Sequence, residues 1–230
     1  MILPLLALGL SCRETASPTI EAPLPAAAGQ TTFASAEALG AYVLEARIET
    51  THTTEGGQPE VSEELTRLRW QDADHWQFVR ERADTLLSET RVWDGELWTA
   101  TRDRELRRGR DAEVARVGLA QQSDPWERTL GPTGSRIAYI ELGTENVENR
   151  TTRHYRLELT PSPPGARKGQ EVLGVEGQVW IDEETAVRMA GDVTVSTRKK
   201  GGLTARHLRF SMSRVGGDAG VQAPPAPAAP

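Results

Sequence analysis

Cysteine is nearly absent: Cys12 is the only one in 230 residues, so no internal disulfide braces the fold. Aromatic residues are sparse too, at 5 %, although six of the twelve are tryptophan. A core must therefore rest on aliphatic side chains with a few large indoles set among them. Basic charge is in deficit, with 27 Lys and Arg against 33 Asp and Glu and a net charge of −6. A nucleic-acid binder needs the opposite balance to displace counterions from phosphates, so that class is set aside. The same deficit argues against electrostatic adhesion to an anionic membrane. No apolar run approaches the roughly 18 residues of a membrane-spanning helix. His52, His75, His154 and His207 are scattered, none at metal-ligand spacing. No G-x-S-x-G, H-E-x-x-H or phosphate-binding loop occurs. No catalytic residue, metal or cofactor is expected. Asp72-Ala73-Asp74 and Asp182-Glu183-Glu184 lack the spacing of a calcium loop and read as turns.

What is present starts with a nine-residue apolar run, Ile2 to Leu10, followed directly by Ser11-Cys12. An apolar run closed by small residues is the layout of a secretory signal. Glu14 to Gln30 then contains three prolines and little periodicity, as an extended tether would. The alternative is an apolar N-terminal helix or strand with an incidental buried cysteine. At the other end, 216–230 is rich in Gly, Ala and Pro and is expected to form a disordered tail. The chain thus divides into a signal at 1–11, a tethered segment at 12–31, one domain at 32–215 and the tail.

Inside the domain a short helix is expected from Ser35 to Leu44, with Ser35 as its N-cap. The period then changes to two. Tyr42, Leu44, Ala46 and Ile48 alternate with polar residues, and Trp76, Phe78 and Arg80 share one face of a later strand. Asp94-Gly95 marks a tight hairpin. Between Arg102 and Gln122 six arginines stand against four acids at spacings that suit a solvated helix. Ser123-Asp124-Pro125 reads as a loop or helix start. Alternation resumes through Tyr155-Leu157-Leu159, Val175 to Ile181, Val187 to Val195, and Leu208-Phe210-Met212, with a bulge expected near Arg206. The pattern predicts a mostly β (α+β) domain: a curved antiparallel sheet forming an incomplete barrel around one or two helices.

Two resemblances add to this reading. Gly9-Leu10-Ser11-Cys12 resembles the lipobox of bacterial lipoproteins, which implies a lipid on Cys12 and attachment to a membrane. Arg13 stands where many inner-membrane lipoproteins carry Asp, which implies the outer membrane, facing the periplasm. The stretch from Val92 to Trp98, the turn from Leu142 to Arg150 followed by His154-Tyr155-Arg156-Leu157, and Val179-Trp180-Ile181-Asp182 followed by Val187 together resemble the LolA/LolB/LppX-like half-barrel lipoprotein family. That resemblance implies a concave face binding acyl chains or a lipidated partner, and no catalytic residues. Trp70, Trp76, Phe78, Trp93, Trp98, Val179 and Ile181 are the candidates to line such a cavity. The competing reading is that these side chains fill the core and the protein works through its outer surface as an assembly lipoprotein.

Overall fold

The computed structural model describes residues 36–225, apart from 103, 123, 134–135, 162–170 and 200. The expectations for Cys12, the signal and the tether fall outside the described residues. Eleven strands and two helices follow one another as β1 (Tyr42–Thr54), β2 (Glu60–Asp72), β3 (His75–Arg82), β4 (Thr85–Trp93), β5 (Glu96–Thr101), β6 (Arg104–Arg108), α1 (Ala112–Gln122), α2 (Pro125–Leu130), β7 (Ile137–Val147), β8 (Arg150–Leu159), β9 (Glu171–Asp182), β10 (Arg188–Lys199) and β11 (Gly202–Ser213). They form one sheet in the order β6-β5-β4-β3-β2-β1-β11-β10-β9-β8-β7. Two antiparallel meanders are thereby joined at β1 and β11, and β6 and β7 remain as free edges. The helices lie in the connection between those two edges, so the chain crosses one face of the sheet to pass from one edge to the other. This is the incomplete barrel that the alternating pattern predicts.

Tight turns hold the meanders in register. Asp94 (φ 51°) and Gly95 (φ 73°) form the expected primed turn. Ala83-Asp84 and Glu148-Asn149 reach the same positive φ angles without glycine, which is why the sequence advertises them less. Alternation along each strand then sorts side chains to two faces. Tyr42, Leu44, Ala46 and Ile48 are buried on the inner face, together with Leu68, Trp70, Trp76, Phe78, Val193 and Leu208. Trp126 and Leu130 of α2 and Leu119 of α1 close over them in the same core. Trp126 meets Phe210 edge-on, with ring centroids 6.3 Å apart, and the Arg188 guanidinium lies over the Trp126 ring at 4.4 Å from its centroid. A bulge between Arg188 and Ala190 turns Arg188 inward for that contact.

Four local expectations need correction. The helix expected at 35–44 is a single turn from Ala36, closed by Leu39 N–H to Ala36 C=O at 3.0 Å and ended by Gly40 at φ 74°; β1 already begins at Tyr42. The helix expected at 102–122 is split. Its arginine-rich half is β6, and only Ala112–Gln122 is helical, started by Asp111, whose carboxylate accepts the Val114 N–H at 3.0 Å. No bulge interrupts β11 near Arg206, since its pairing with β1 runs without a register shift, and Leu203, whose phase differs from that of Leu208, is an exposed residue.

The fourth correction concerns the expected tail. Residues 216–225 run along the outer face of β1 to β4. The Gly216 N–H donates to Ala41 C=O at 2.8 Å, and the Ala219 N–H donates to Gln71 Oε1 at 3.0 Å. Arg91 Nη1 donates to the carbonyls of Gln222 and Ala223, both at 2.8 Å. Arg91 is in turn held by Glu89, which also accepts from Gln77 at 2.8 Å. A segment with few apolar side chains is thus fixed through its backbone, and only residues 226–230 fall outside the description. Arg91→Ala is expected to free this strap at a cost of about 1–3 kcal/mol, the range for losing hydrogen bonds from a buried charged group. Limited proteolysis read by mass spectrometry should then cut within 216–225; an unchanged cleavage pattern would show that Arg91 does not hold it.

Candidate functional site

Strand pairing lays the inner face out in rows. One row runs Leu97, Val92, Trp76, Trp70, Tyr42 from β5 to β1. The next runs Phe78, Leu68, Leu44, Met212. A third crosses most of the sheet as Arg82, Glu64, Ile48, Leu208, Val193, Gly177, Leu157, Tyr139. Gly177 is required there. It sits at φ 143°, and a Cβ would lie 2.2 Å from the Asp192 carbonyl oxygen, so no other residue lets β9 and β10 approach so closely.

Five of the seven predicted lining residues meet on this face. Trp70, Trp76, Phe78, Val179 and Ile181 are each at most 3 % exposed. The indole N–H of Trp76 is buried and finds no acceptor among the described residues. Trp93 and Trp98 are the correction. The two-residue turn at 94–95 sets Trp93 opposite Glu96 and Trp98 opposite Arg91, which places both on the outer face. Trp93 packs edge-on against His75, 5.1 Å between centroids. Val92 and Leu97 are the inward residues of that hairpin, and the two-residue Asp94-Gly95 turn, which sets the register, is the signal that could have found them.

Burial is uneven across the inner face. The centre of the sheet is covered by the helices, whereas Leu97 on one flank and Ile137, Tyr139 and Leu159 on the other pack against the core while staying half-buried. Apolar side chains on both flanks therefore remain partly exposed.

Sequence reasoning missed a charged cluster at one end of this face. Glu64 Oε1 accepts from Arg128 Nη2 at 2.5 Å and from Arg80 Nε at 3.2 Å, and Oε2 lies 3.5 Å from Arg82 Nη2. Arg206 donates to the Arg128 carbonyl at 2.9 Å. Burial pushes the Glu64 carboxyl up, but Arg128 and Arg80 outweigh that and hold it below the ordinary carboxylate range. Glu64, Arg82, Arg128 and Arg206, with Thr50 and Ser62 between them, line a recess of about 290 Å³. These residues come from four separate strands and α2, so no local motif announces them. On the outer face His75 bridges Asp94 and Asp72 at 3.1 and 2.9 Å, which raises its pKa. Among the described residues no three His, Cys, Asp or Glu side chains come together to hold a metal. No helix among them is long and apolar enough to cross a membrane.

No protein-family model and no curated protein sequence matches the chain. Solved structures do. A LolA superfamily protein from Nitrosomonas europaea matches over 76 % of this chain and 86 % of its own, at 11 % identity and a TM-score of 0.26. The Mycobacterium tuberculosis lipoprotein LppX matches over 79 % and 91 %, at 13 % identity and a TM-score of 0.29. A DUF1329 family protein from Desulfovibrio piger matches over 84 % and 89 %, at 16 % identity and a TM-score of 0.27. The first two bear the names of the group that the sequence motifs resemble. At these identities and scores the likeness assigns no function, and the half-barrel architecture stands on the strand order and register given above.

The sign of the Glu64 shift fixes a pH dependence. A carboxyl held below its unfolded value, about 4.3, stabilises the fold above that pH, and the contribution is lost as pH falls through the folded value. Glu64→Gln is expected to destabilise by about 1–3 kcal/mol at pH 7, with a smaller gap to the unsubstituted protein at pH 3. Urea midpoints at the two pH values measure this, and a gap of equal size at both would contradict the assignment.

Proposed function

We propose that this is an envelope lipoprotein, held at the outer membrane through acylated Cys12, whose half-barrel binds acyl chains or a lipidated partner and performs no catalysis. The observation that supports the binding reading is the partial exposure of apolar side chains on both flanks of the sheet, Leu97 on one side and Ile137, Tyr139 and Leu159 on the other. Acyl chains suit such a surface because apolar burial is non-directional and needs no polar partner. The strength of the anchor follows from chain number. Each buried methylene contributes about 0.8 kcal/mol, one chain holds marginally, and two or three hold firmly.

A second reading keeps the same anchor but treats the core as filled, the outer surface then making the functional contacts. The near-complete burial of Trp70, Trp76, Phe78, Val179 and Ile181 favours it for the centre of the sheet. The flanks decide between the two. Native mass spectrometry of the full chain, released gently from membranes, is expected to detect a bound acyl lipid, and Tyr139→Asp with Leu97→Asp is expected to reduce occupancy by about tenfold or more. A lipid-free unsubstituted protein that crosslinks in cells to an envelope complex would instead support the filled-core reading. For the anchor, Cys12→Ser should move the protein from the membrane fraction to the soluble one; membrane fractionation that still requires detergent would remove that part of the proposal.

A further inference from the structure

The inner face changes character along its strands. The row Val92-Trp76-Trp70-Tyr42 at one end is apolar. Two strand repeats further on, Thr66 stands beside Arg80, and the following row carries Glu64 and Arg82. Beyond it Arg206 stands opposite Thr50, and Thr50 opposite Ser62. The closed apolar core thus gives way, at this end of the face, to a recess lined by Arg82, Arg128 and Arg206 around one carboxylate, in a chain whose overall charge is −6. The next acid on this face, Glu60, is exposed and pairs opposite His52.

Glu64 does not use up this cationic capacity. Its Oε1 is shared by Arg80 and Arg128, and Arg82 reaches Oε2 only at 3.5 Å. The Nη1 of Arg128 is buried and has no acceptor among the described residues, which is costly for a charged donor unless an acceptor enters. The recess of about 290 Å³ lies just below the range of about 300–1,000 Å³ that holds a whole small molecule. It suits a head group better than an entire amphiphile. Guanidinium groups match phosphate oxygens through paired N–H donors.

We infer that Arg82, Arg128 and Arg206 form a subsite for a phosphate group at the polar end of the inner face, with Glu64 and Arg80 positioning Arg128. The inference rests on the acyl-binding reading for the rest of the ligand, which is then an anionic amphiphile rather than a neutral one. Two sources share this chemistry, a phosphorylated lipid head and free inorganic phosphate.

The test uses the full chain and three probes: dodecyl phosphate and dodecanol, each below its aggregation threshold, and inorganic phosphate. Calorimetric titration is expected to show dodecyl phosphate binding about tenfold or more tighter than dodecanol. In Arg82→Gln/Arg206→Gln that ratio should fall toward one. Far-ultraviolet dichroism and the urea midpoint confirm that the variant folds. Raising the ionic strength on the unsubstituted protein supplies a check that needs no variant, because salt should weaken dodecyl phosphate and leave dodecanol unaffected. Equal affinities for the two amphiphiles overturn the subsite and leave acyl binding intact. Inorganic phosphate bound alone, and lost in the double variant, upholds the subsite for a free phosphate while acyl binding fails. If none of the three binds, both readings fall.

Discussion

β1 and β11 lie at the two ends of the folded chain, and their pairing runs unbroken from Val43–Ser213 to Thr54–Gly202. Each meander could form from local hairpins, but neither can cover its own inner face. Joining them brings the aliphatic rows of both halves together and leaves the connection from β6 to β7 no short route except across that face. The helices are thereby delivered to the core by topology, and Trp126 and Leu130 find Phe210 and its neighbours beneath them. Because this seam joins residues far apart in sequence, it carries a larger loop-closure cost than the hairpins on either side of it. The cluster at Glu64 depends on it as well, since Arg206 reaches Arg128 only once β11 is seated beside β1.

The strand-rich architecture was legible because alternation survives in almost every strand and because Asp94-Gly95 states its turn openly. What sequence could not supply was facing where residue type and phase disagreed. Trp93 and Trp98 drew attention as aromatics, yet register follows from the turn, and the turn sends Val92 and Leu97 inward. The arginine-rich stretch at 104–108 looked helical because charge spacing was weighed above the break at Gly109, while Asp111, a good N-cap, marked the true helix start. The strap at 216–225 was invisible for a different reason. Its hold comes from Arg91 and Gln71 acting on backbone groups, and composition carries no record of that. The Glu64 cluster combines residues up to 142 positions apart, from Glu64 to Arg206, so only the register assembles it.

The inner face therefore has three zones with different physics. Its centre is closed, as expected of packing alone. Its flanks leave apolar side chains half-covered beside the helices, and one end concentrates positive charge around a single depressed carboxylate. The outer face is polar and laced with ion pairs such as Arg209–Asp192 and Arg67–Glu45, except where the strap lies across it. Surface pairs of that kind contribute little to stability individually, so the fold is held mainly by the seam, the core rows and the helical cover.

The central position of β1 has a mechanical meaning. It is bonded to β2 on one side and β11 on the other. Consider a load applied at Tyr42 along the axis of β1. Hydrogen bonds that lie across the strand direction then meet the force in shear, many together on two ladders, rather than opening one pair at a time. The edge strands β6 and β7, by contrast, are each held by a single ladder.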